Sequence, residues 1–206
     1  IIEEMNRQFD DAIITTDVGQ HMMLVSQYAE ITEKKQLVMS GGLGTMGYGF
    51  PAAIGAQIGN PEKRVIAVSG DGGMQMNIQE FATAVLEETP VIACVFNNTY
   101  LGMVRQWQKL FYGKRYGMTN LRAGALSRRT DGAEFPEYTP DFVKLAESYG
   151  AKGIRVTKTE EISAAFEEAK KNTKTPTLIE FIIDPEEMVY PMIKPGGTLE
   201  DMIMDC

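Results

Sequence analysis

Short apolar runs alternate with longer amphipathic stretches along most of the chain. The runs lie at 12–17, 36–40, 64–70, 90–98, 153–156 and 177–184, and the helical stretches lie at 19–30, from 51 onward, and at 77–88, 101–110, 139–150 and 160–172. Runs that are apolar throughout are typical of strands buried on both faces. The alternation predicts a three-layer α/β/α fold around a parallel sheet of about six strands. We expect Pro51 at the first position of its helix, Asn77 as a helix cap, and 111–138 as a long loop.

The composition is that of one acidic globular domain. The chain has 206 residues, 44% of them hydrophobic, and a formal net charge of -8. This charge offers no positive field for nucleic acid, and no apolar run reaches membrane-spanning length. Cys94 and Cys206 form no disulfide framework, which indicates the cytoplasm, or an organellar stroma in a eukaryote. The chain begins at Ile1 without a signal peptide, and we expect it to be part of a longer protein.

Polar residues follow two consecutive apolar runs where the predicted strands end. Gly70-Asp71-Gly72 closes one strand and Asn97-Asn98 closes the next. The carboxyl ends of parallel strands share one edge of a sheet, where ligands of open α/β sheets bind. A carboxylate and an amide oxygen suit Mg²⁺ or Ca²⁺, and the glycines let backbone N–H groups approach an anion. The pattern predicts a metal–phosphate site, although each polar residue alone is more typical of a turn or an ordinary loop.

This motif and several longer blocks of the sequence resemble a known family. Asp71 and Asn98 stand 27 positions apart, and the motif resembles the signature of enzymes that use thiamine diphosphate (ThDP). The blocks SGGLGTMGYGFPAAIGAQ at 40–57, NNTYLGMVRQWQKLFYGKRY at 97–116 and YPMIKPGGTLEDMI at 190–203 resemble the catalytic subunit of acetohydroxyacid synthase, also called acetolactate synthase. With 16–25 and 141–156, the resemblance covers nearly the whole chain.

The resemblance implies a role for each of a set of site residues. It implies three metal ligands: the side chains of Asp71 and Asn98 and the backbone carbonyl of Tyr100. The residues that it implies in cofactor contact are Gln20, His21, Gly44, Met46, Gly70, Asp71, Gly72, Gly73, Asn98, Gly102, Met103 and Val104. Of these, Gly44, Met46 and Met103 would serve catalysis at the reacting part of the cofactor. Trp107 would shape the pocket for the second oxo acid.

The same resemblance implies a reaction and partners. Residues 1–185 would form the ThDP-binding domain and 186–206 a C-terminal tail of acetolactate synthase. That enzyme decarboxylates pyruvate on ThDP and joins the product to pyruvate or 2-oxobutanoate, in branched-chain amino acid biosynthesis. ThDP and Mg²⁺ would bind here, and FAD would bind elsewhere in the parent enzyme. The glutamate that activates ThDP would come from the N-terminal domain of a partner chain in a homodimer or tetramer, and a regulatory subunit is a further candidate partner.

We therefore expect the isolated chain to be inactive, since neither that N-terminal domain nor the middle FAD domain matches it. Other interpretations stay open. Gly42, Gly44 and Gly47 spell the GxGxxG of dinucleotide-binding domains, but the helix that this motif should open is delayed to Pro51. The single histidine, His21, and the methionines and tryptophan of the implied site are also common core or surface residues. The alternatives are another ThDP-dependent carboligase or decarboxylase, and a non-catalytic phosphate- or nucleotide-binding module. The role of 117–138, a flap or a solvated loop, is open.

Overall fold

The computed structural model describes residues 1–121 and 140–205. Most of the predicted loop at 111–138, and Cys206, lie outside the described residues. The strands are β1 (Ile13–Thr16), β2 (Gln36–Met39), β3 (Val65–Gly70), β4 (Ile92–Asn97), β5 (Lys152–Val156), β6 (Thr177–Ile182), β7 (Met192–Ile193) and β8 (Met202–Ile203). The α-helices are α1 (Ile2–Gln8), α2 (Gln20–Tyr28), α3 (Gly49–Gly59), α4 (Asp71–Met74), α5 (Glu80–Leu86), α6 (Gly102–Phe111), α7 (Phe142–Ser148) and α8 (Ile162–Lys171).

Six strands form one parallel sheet in the order β2-β1-β3-β4-β6-β5. All residues of β3 and β4 are buried, because helices cover both faces of the sheet. The predicted three-layer fold with a six-stranded parallel sheet is confirmed. Among the described residues, none of the helices has both the length and the apolar character needed to cross a membrane.

Each face of the sheet has its own hydrophobic core. On one face, Phe166 of α8 packs against Phe9 and Phe181 with ring centroids 5.7 and 5.6 Å apart. On the other, Phe81 of α5 packs against Phe50 of α3 at 4.5 Å. Successive residues of a strand point to opposite faces, so the continuous apolar runs supply both cores.

The structure corrects two predicted helix starts. α3 begins at Gly49, so Pro51 is its third residue and not its first. Asn77 does not cap α5, which begins at Glu80; the Asn77 amide instead donates to the Gly47 carbonyl at 2.7 Å. Both differences arise from tertiary contacts of the glycine-rich loop before α3, which local capping preferences do not include.

Four elements were absent from the prediction. α1 lies at the start of the chain, and β7 and β8 form a small antiparallel pair within the tail. α4 forms from the sequence DGGM, whose glycines disfavour a helix. All four of its residues are buried, so packing outweighs the low intrinsic propensity.

Candidate functional site

A cleft lies at the carboxyl edge of the sheet, where the strand order reverses. β2 flanks β1 on one side and β3 flanks it on the other, which leaves a crevice between the loops that follow β1 and β3. β3 and β4 pair in parallel with Gly70 opposite Phe96. Asp71 and Asn98 therefore leave neighbouring strands at the same edge, which is the arrangement that the sequence predicted.

The cleft encloses about 200 Å³. Its walls come from the loops after β1, β3 and β4, from α6 and from the tail. The lining residues are Val18, Gly19, Gln20, His21, Leu24, Met46, Gly70, Asp71, Gly72, Gly73, Phe96, Asn98, Tyr100, Leu101, Gly102, Met103, Val104, Ile183, Glu187, Met188 and Val189. The structure thus brings together the predicted cofactor residues except Gly44. Trp107 also lies outside the lining that the described residues form.

Asp71 presents an uncompensated carboxylate to the cleft. The residue is 3% exposed, and its Oδ1 accepts a hydrogen bond from the Gly72 N–H at 2.8 Å. Its Oδ2 is buried and has no hydrogen-bond partner among the described residues. Burial raises the pKa of Asp71 to about 7, against the opposing effect of the Gly72 and Thr99 N–H groups. A buried carboxylate with a free oxygen is stabilised by a cation, so this residue fits the role of a metal ligand.

Asn98 and Tyr100 bring further oxygen donors to the same edge. Asn98 Oδ1 accepts a hydrogen bond from the Tyr100 N–H at 3.0 Å, and Asn98 Nδ2 lies 3.4 Å from Gln20 Oε1. The described residues contain no group of three or more His, Cys, Asp or Glu side chains that could hold a metal ion. The available donors are one carboxylate, one amide and one backbone carbonyl, a set that leaves positions around Mg²⁺ for water or phosphate oxygens.

The first turn of α2 delivers Gln20 and His21 to the cleft. Gly19 precedes this helix with a φ of 144°, and a Cβ there would lie 2.9 Å from the His21 ring. Burial lowers the pKa of His21 to about 4, against the opposing effect of Asp17, so the imidazole is neutral near pH 7. Its Nε2 is buried without a hydrogen-bond partner in the described part of the chain. The N–H groups at the helix N-terminus suit an anionic group. The His21 Nε2 would donate to that group only in a form of the ring that carries a proton on this nitrogen.

Asp17, at the end of β1, forms hydrogen bonds with the glycine-rich loop before α3. Its carboxylate is 1% exposed and accepts hydrogen bonds from the N–H groups of Gly47 and Gly49 at 2.9 and 3.1 Å. The sequence motifs predicted no role for Asp17. The available signal was its position: it follows β1 as Asp71 follows β3, at the same edge of the sheet.

The glycine-rich loop carries two of the predicted catalytic residues. Met46 is 36% exposed, and its Cε lies 3.5 Å from the position that a Cβ on Gly72 would occupy. Gly44, with a φ of +61°, lies in the exposed stretch 41–46. The structure therefore brings Met46 to the cleft and leaves Gly44 outside its lining.

The helix α6 forms one wall of the cleft. Its first residue, Gly102, has no room for a side chain, since a Cβ would lie 2.1 Å from Gln20 Oε1. Met103 and Val104 line the cleft, and Val104 is 50% exposed. Trp107 is 37% exposed and packs edge-on against Phe111 at 5.7 Å. Trp107 thus lies on the helix that walls the cleft but outside the cleft lining.

Gln106 holds the tail against the cleft. Its Nε2 donates to the Val189 carbonyl at 2.8 Å, and its Oε1 accepts from the Val189 N–H at 2.9 Å and from Gln20 Nε2 at 2.7 Å. Sequence reasoning missed this residue, because its partner lies 83 positions away. The tail therefore contributes directly to one wall of the cleft, through Glu187, Met188 and Val189.

The parallel sheet and the glycine-lined cleft at its carboxyl edge define an α/β ligand-binding domain. The family model described as the thiamine pyrophosphate enzyme C-terminal TPP-binding domain matches residues 17–181. The chain therefore belongs to the family of C-terminal thiamine pyrophosphate-binding domains, and thiamine pyrophosphate is another name for ThDP. The family predicted from the sequence motifs is confirmed.

Similar proteins agree with this assignment. The probable acetolactate synthase large subunit of Methanocaldococcus jannaschii is 42% identical over 98% of this chain and 32% of that protein. The acetolactate synthase large subunit of Corynebacterium glutamicum is 42% identical over 98% of the chain and 31% of that protein. The thiamine diphosphate-dependent 4-hydroxybenzoylformate decarboxylase of Rhodococcus jostii RHA1 superposes with a TM-score of 0.74 at 26% identity, covering 89% of this chain and 32% of that one. The chain spans about a third of the length of the curated relatives it matches.

Proposed function

We propose that this chain is the cofactor-binding domain of an acetolactate synthase large subunit, and that it binds ThDP together with Mg²⁺. Relatives with that name are about 40% identical over nearly the whole chain. The observation that carries the metal part is the buried Asp71 Oδ2, which no donor among the described residues satisfies. A divalent cation at this oxygen would relieve the cost of the buried charge.

Different residues at the strand edge would bind the metal and the diphosphate. Asp71, the Asn98 side chain and the Tyr100 carbonyl would hold Mg²⁺. The N–H groups of Gly72 and Gly73, and the side chains at the start of α2, would bind the diphosphate. No side chain at Gly72 would fit without moving Leu101, since a Cβ would lie 2.7 Å from its Cδ2. The backbone can therefore approach an anion closely here.

The rest of the cleft would orient the reacting part of the cofactor. When bound, ThDP supplies a carbanion that adds to the carbonyl of a 2-oxo acid and an electron sink for the charge left by loss of carbon dioxide. The Met46 side chain would support the reacting part of the cofactor, and the Gly44 carbonyl would accept a hydrogen bond from the cofactor's amino group. Met103 and Val104 would exclude water from the reacting side of the cleft.

The whole protein would then use pyruvate, with pyruvate or 2-oxobutanoate as the second substrate. The activating glutamate would come from the N-terminal domain of a partner chain, and FAD would bind in another domain of the same protein. We also propose that a regulatory subunit is a partner of the whole protein and that the protein is located in the cytoplasm or the stroma. These features rest on the resemblance to the acetolactate synthases.

The proposal is tested on the full-length protein that contains this chain. ThDP binding is measured by calorimetry with Mg²⁺ and with EDTA, and the product formed from pyruvate is identified by mass spectrometry. We expect ThDP binding only with the metal, and acetolactate as the product. Metal-independent binding would contradict the metal site, and NAD binding in place of ThDP would contradict the proposal as a whole.

A second candidate is another ThDP-dependent decarboxylase. It is favoured by the structural similarity to the Rhodococcus jostii RHA1 decarboxylase. The same product analysis separates the two, because a simple decarboxylase releases an aldehyde and an acetolactate synthase forms a longer hydroxyacid. The higher identity to the acetolactate synthases favours the first candidate.

A further inference from the structure

Glu180 places a charge inside the parallel sheet. It is fully buried in β6, and its register partners are Val95 on β4 and Arg155 on β5. Its Oε2 accepts a hydrogen bond from Arg155 Nε at 2.7 Å, and its Oε1 accepts one from Asn97 Nδ2 at 2.7 Å. Apolar residues of similar volume often stabilise such a position as well as a buried ion pair does. Stability alone therefore does not explain this carboxylate.

The Glu180 carboxylate fixes the orientation of the Asn97 amide. An ionised carboxylate only accepts hydrogen bonds, so Asn97 must turn its nitrogen toward Glu180 and its oxygen away. That oxygen, Oδ1, accepts a hydrogen bond from the Thr99 N–H at 3.0 Å. Reversal of the amide would set an oxygen against the carboxylate and a donor against the Thr99 N–H. The buried charge thus determines which group of Asn97 meets the loop after β4.

Thr99 lies between the two proposed metal ligands of that loop, Asn98 and Tyr100. Its φ is +63°, which is unfavourable for a β-branched residue and persists only when its surroundings enforce it. Besides the bond from its N–H to Asn97, its carbonyl accepts from the Leu121 N–H at 2.8 Å. The groups that hold Thr99 in this conformation also set the spacing between the Asn98 side chain and the Tyr100 carbonyl.

We infer that Glu180, acting through Asn97, is a positioning residue for the metal-binding loop. This inference rests on the proposed function, and it assigns neither residue a contact with metal or cofactor. The other branch of the network supplies a matched control. Arg155 Nη2 donates to Asp141 Oδ1 at 2.6 Å, and Asp141 caps α7 by accepting from the Lys144 N–H. Among the described residues, Asp141 makes no hydrogen bond to the loop after β4, so its replacement tests what the network contributes to stability alone.

The test uses Asn97→Ala, Glu180→Gln and Asp141→Ala in the full-length protein that contains this chain. Mg²⁺ affinity is measured by calorimetry at saturating ThDP, together with the thermal unfolding midpoint. We expect Mg²⁺ affinity to fall at least tenfold in Asn97→Ala. In Glu180→Gln we expect a fall of about threefold or more, because the new amide cannot accept from both neighbouring donors. Asp141→Ala should lower the unfolding midpoint but keep Mg²⁺ affinity within twofold, and excess Mg²⁺ should restore ThDP binding in the first two variants.

The outcomes separate the inference from the proposed function. If wild type binds ThDP with Mg²⁺ and both Asn97→Ala and Glu180→Gln bind Mg²⁺ within twofold of it, the inference is wrong and the proposed function stands. An equal fall in affinity for Asp141→Ala would also overturn it, since the network would then act only through stability. Absence of Mg²⁺-dependent ThDP binding by wild type would overturn both. If Asn97→Ala does not fold, the nearly isosteric Glu180→Gln decides the result.

Discussion

The carboxylate of Asp17 accepts a hydrogen bond of 2.9 Å from the backbone N–H of Gly47. The Gly49 N–H donates to the same carboxylate at 3.1 Å, so one buried side chain satisfies two backbone donors of the loop that carries Met46. A buried donor without an acceptor costs about 1–3 kcal/mol. The end of β1 therefore sets the conformation of a loop whose Gly47 lies 30 positions later in the sequence.

Asp17→Ala is expected to lower the free energy of unfolding by about 2–4 kcal/mol, because two buried N–H groups lose their acceptor. ThDP affinity of the full-length protein should fall with it, since Met46 would no longer be held at the cleft. Urea unfolding and calorimetry measure the two effects. Asp11→Ala, at an exposed position before the same strand, is the control. Unchanged stability in Asp17→Ala would show that the loop finds other acceptors.

Asp71→Ala in the full-length protein is expected to abolish Mg²⁺-dependent ThDP binding while the fold survives. The loss of a charged ligand beside a diphosphate should cost several kcal/mol, about 3–5. The metal-free variant should be at least as stable as wild type, because the substitution removes a buried carboxylate with an unsatisfied oxygen. Calorimetry and thermal unfolding test both statements. Asp184→Ala, just after β6 at the same edge of the sheet, is the control, and equal ThDP affinity in folded Asp71→Ala would refute the assignment.

The sequence predicted those parts of the fold that depend on local patterns. The continuous apolar runs of β3 and β4 identified two strands buried on both faces. Parallel strands end at the same edge of a sheet, so the motif predicts that Asp71 and Asn98 lie at one edge if their strands are neighbours, and β3 does pair with β4. The strand order was not predictable in this way, since it depends on how helices pack across the sheet.

Contacts between distant segments account for what the sequence did not reveal. Gln106 meets Val189, and Asn97 meets Glu180, across 83 positions each, and no local pattern marks either pair. A glutamate within an apolar strand is a visible irregularity, but the sequence does not show which groups satisfy it. The helical turn that opens at Asp71 was missed for the opposite reason: its glycines predict a loop, and burial makes it a helix.

The ion pair of Asp141 with Arg155 predicts a pH dependence of stability. Burial acts to raise the pKa of Asp141, but hydrogen bonds from the Lys144 N–H and from Arg155 outweigh it, and the pKa is lowered. The carboxylate therefore contributes stability above its unfolded pKa of about 3.9, and this contribution disappears as the pH falls through the lower folded value. Asp141→Asn should lower the free energy of unfolding by about 1 kcal/mol at pH 7. Urea titrations from pH 7 to pH 3 should show the free energies of unfolding of the two proteins converging. A difference in free energy that stays constant with pH would contradict the ion pair.

Trp107→Leu is expected to lower the preference for 2-oxobutanoate over pyruvate more than it lowers total turnover. Trp107 lies one helical turn beyond Met103 and Val104, which line the cleft, and the residue is 37% exposed on α6. A pocket contact that distinguishes one methylene is worth roughly 1–3 kcal/mol, or tenfold and more in selectivity. Competition between the two oxo acids measures it, with Tyr112→Leu as an exposed control beyond the same helix. An unchanged product ratio would leave Trp107 as the packing partner of Phe111.

The isolated chain is expected to fold but to form no acetolactate from pyruvate, ThDP and Mg²⁺. The acidic residues that line the cleft among the described residues are Asp71, which would be occupied by the metal, and Glu187. The resemblance to the acetolactate synthases assigns activation of the cofactor to a glutamate of the N-terminal domain and not to either of these residues. The exposed Met46 and Val104 leave an apolar wall that favours self-association. A pyruvate assay and sedimentation of the purified chain test this, and addition of a separately expressed N-terminal domain should restore some turnover. Appreciable turnover by the chain alone would mean that the activating carboxylate lies within these residues.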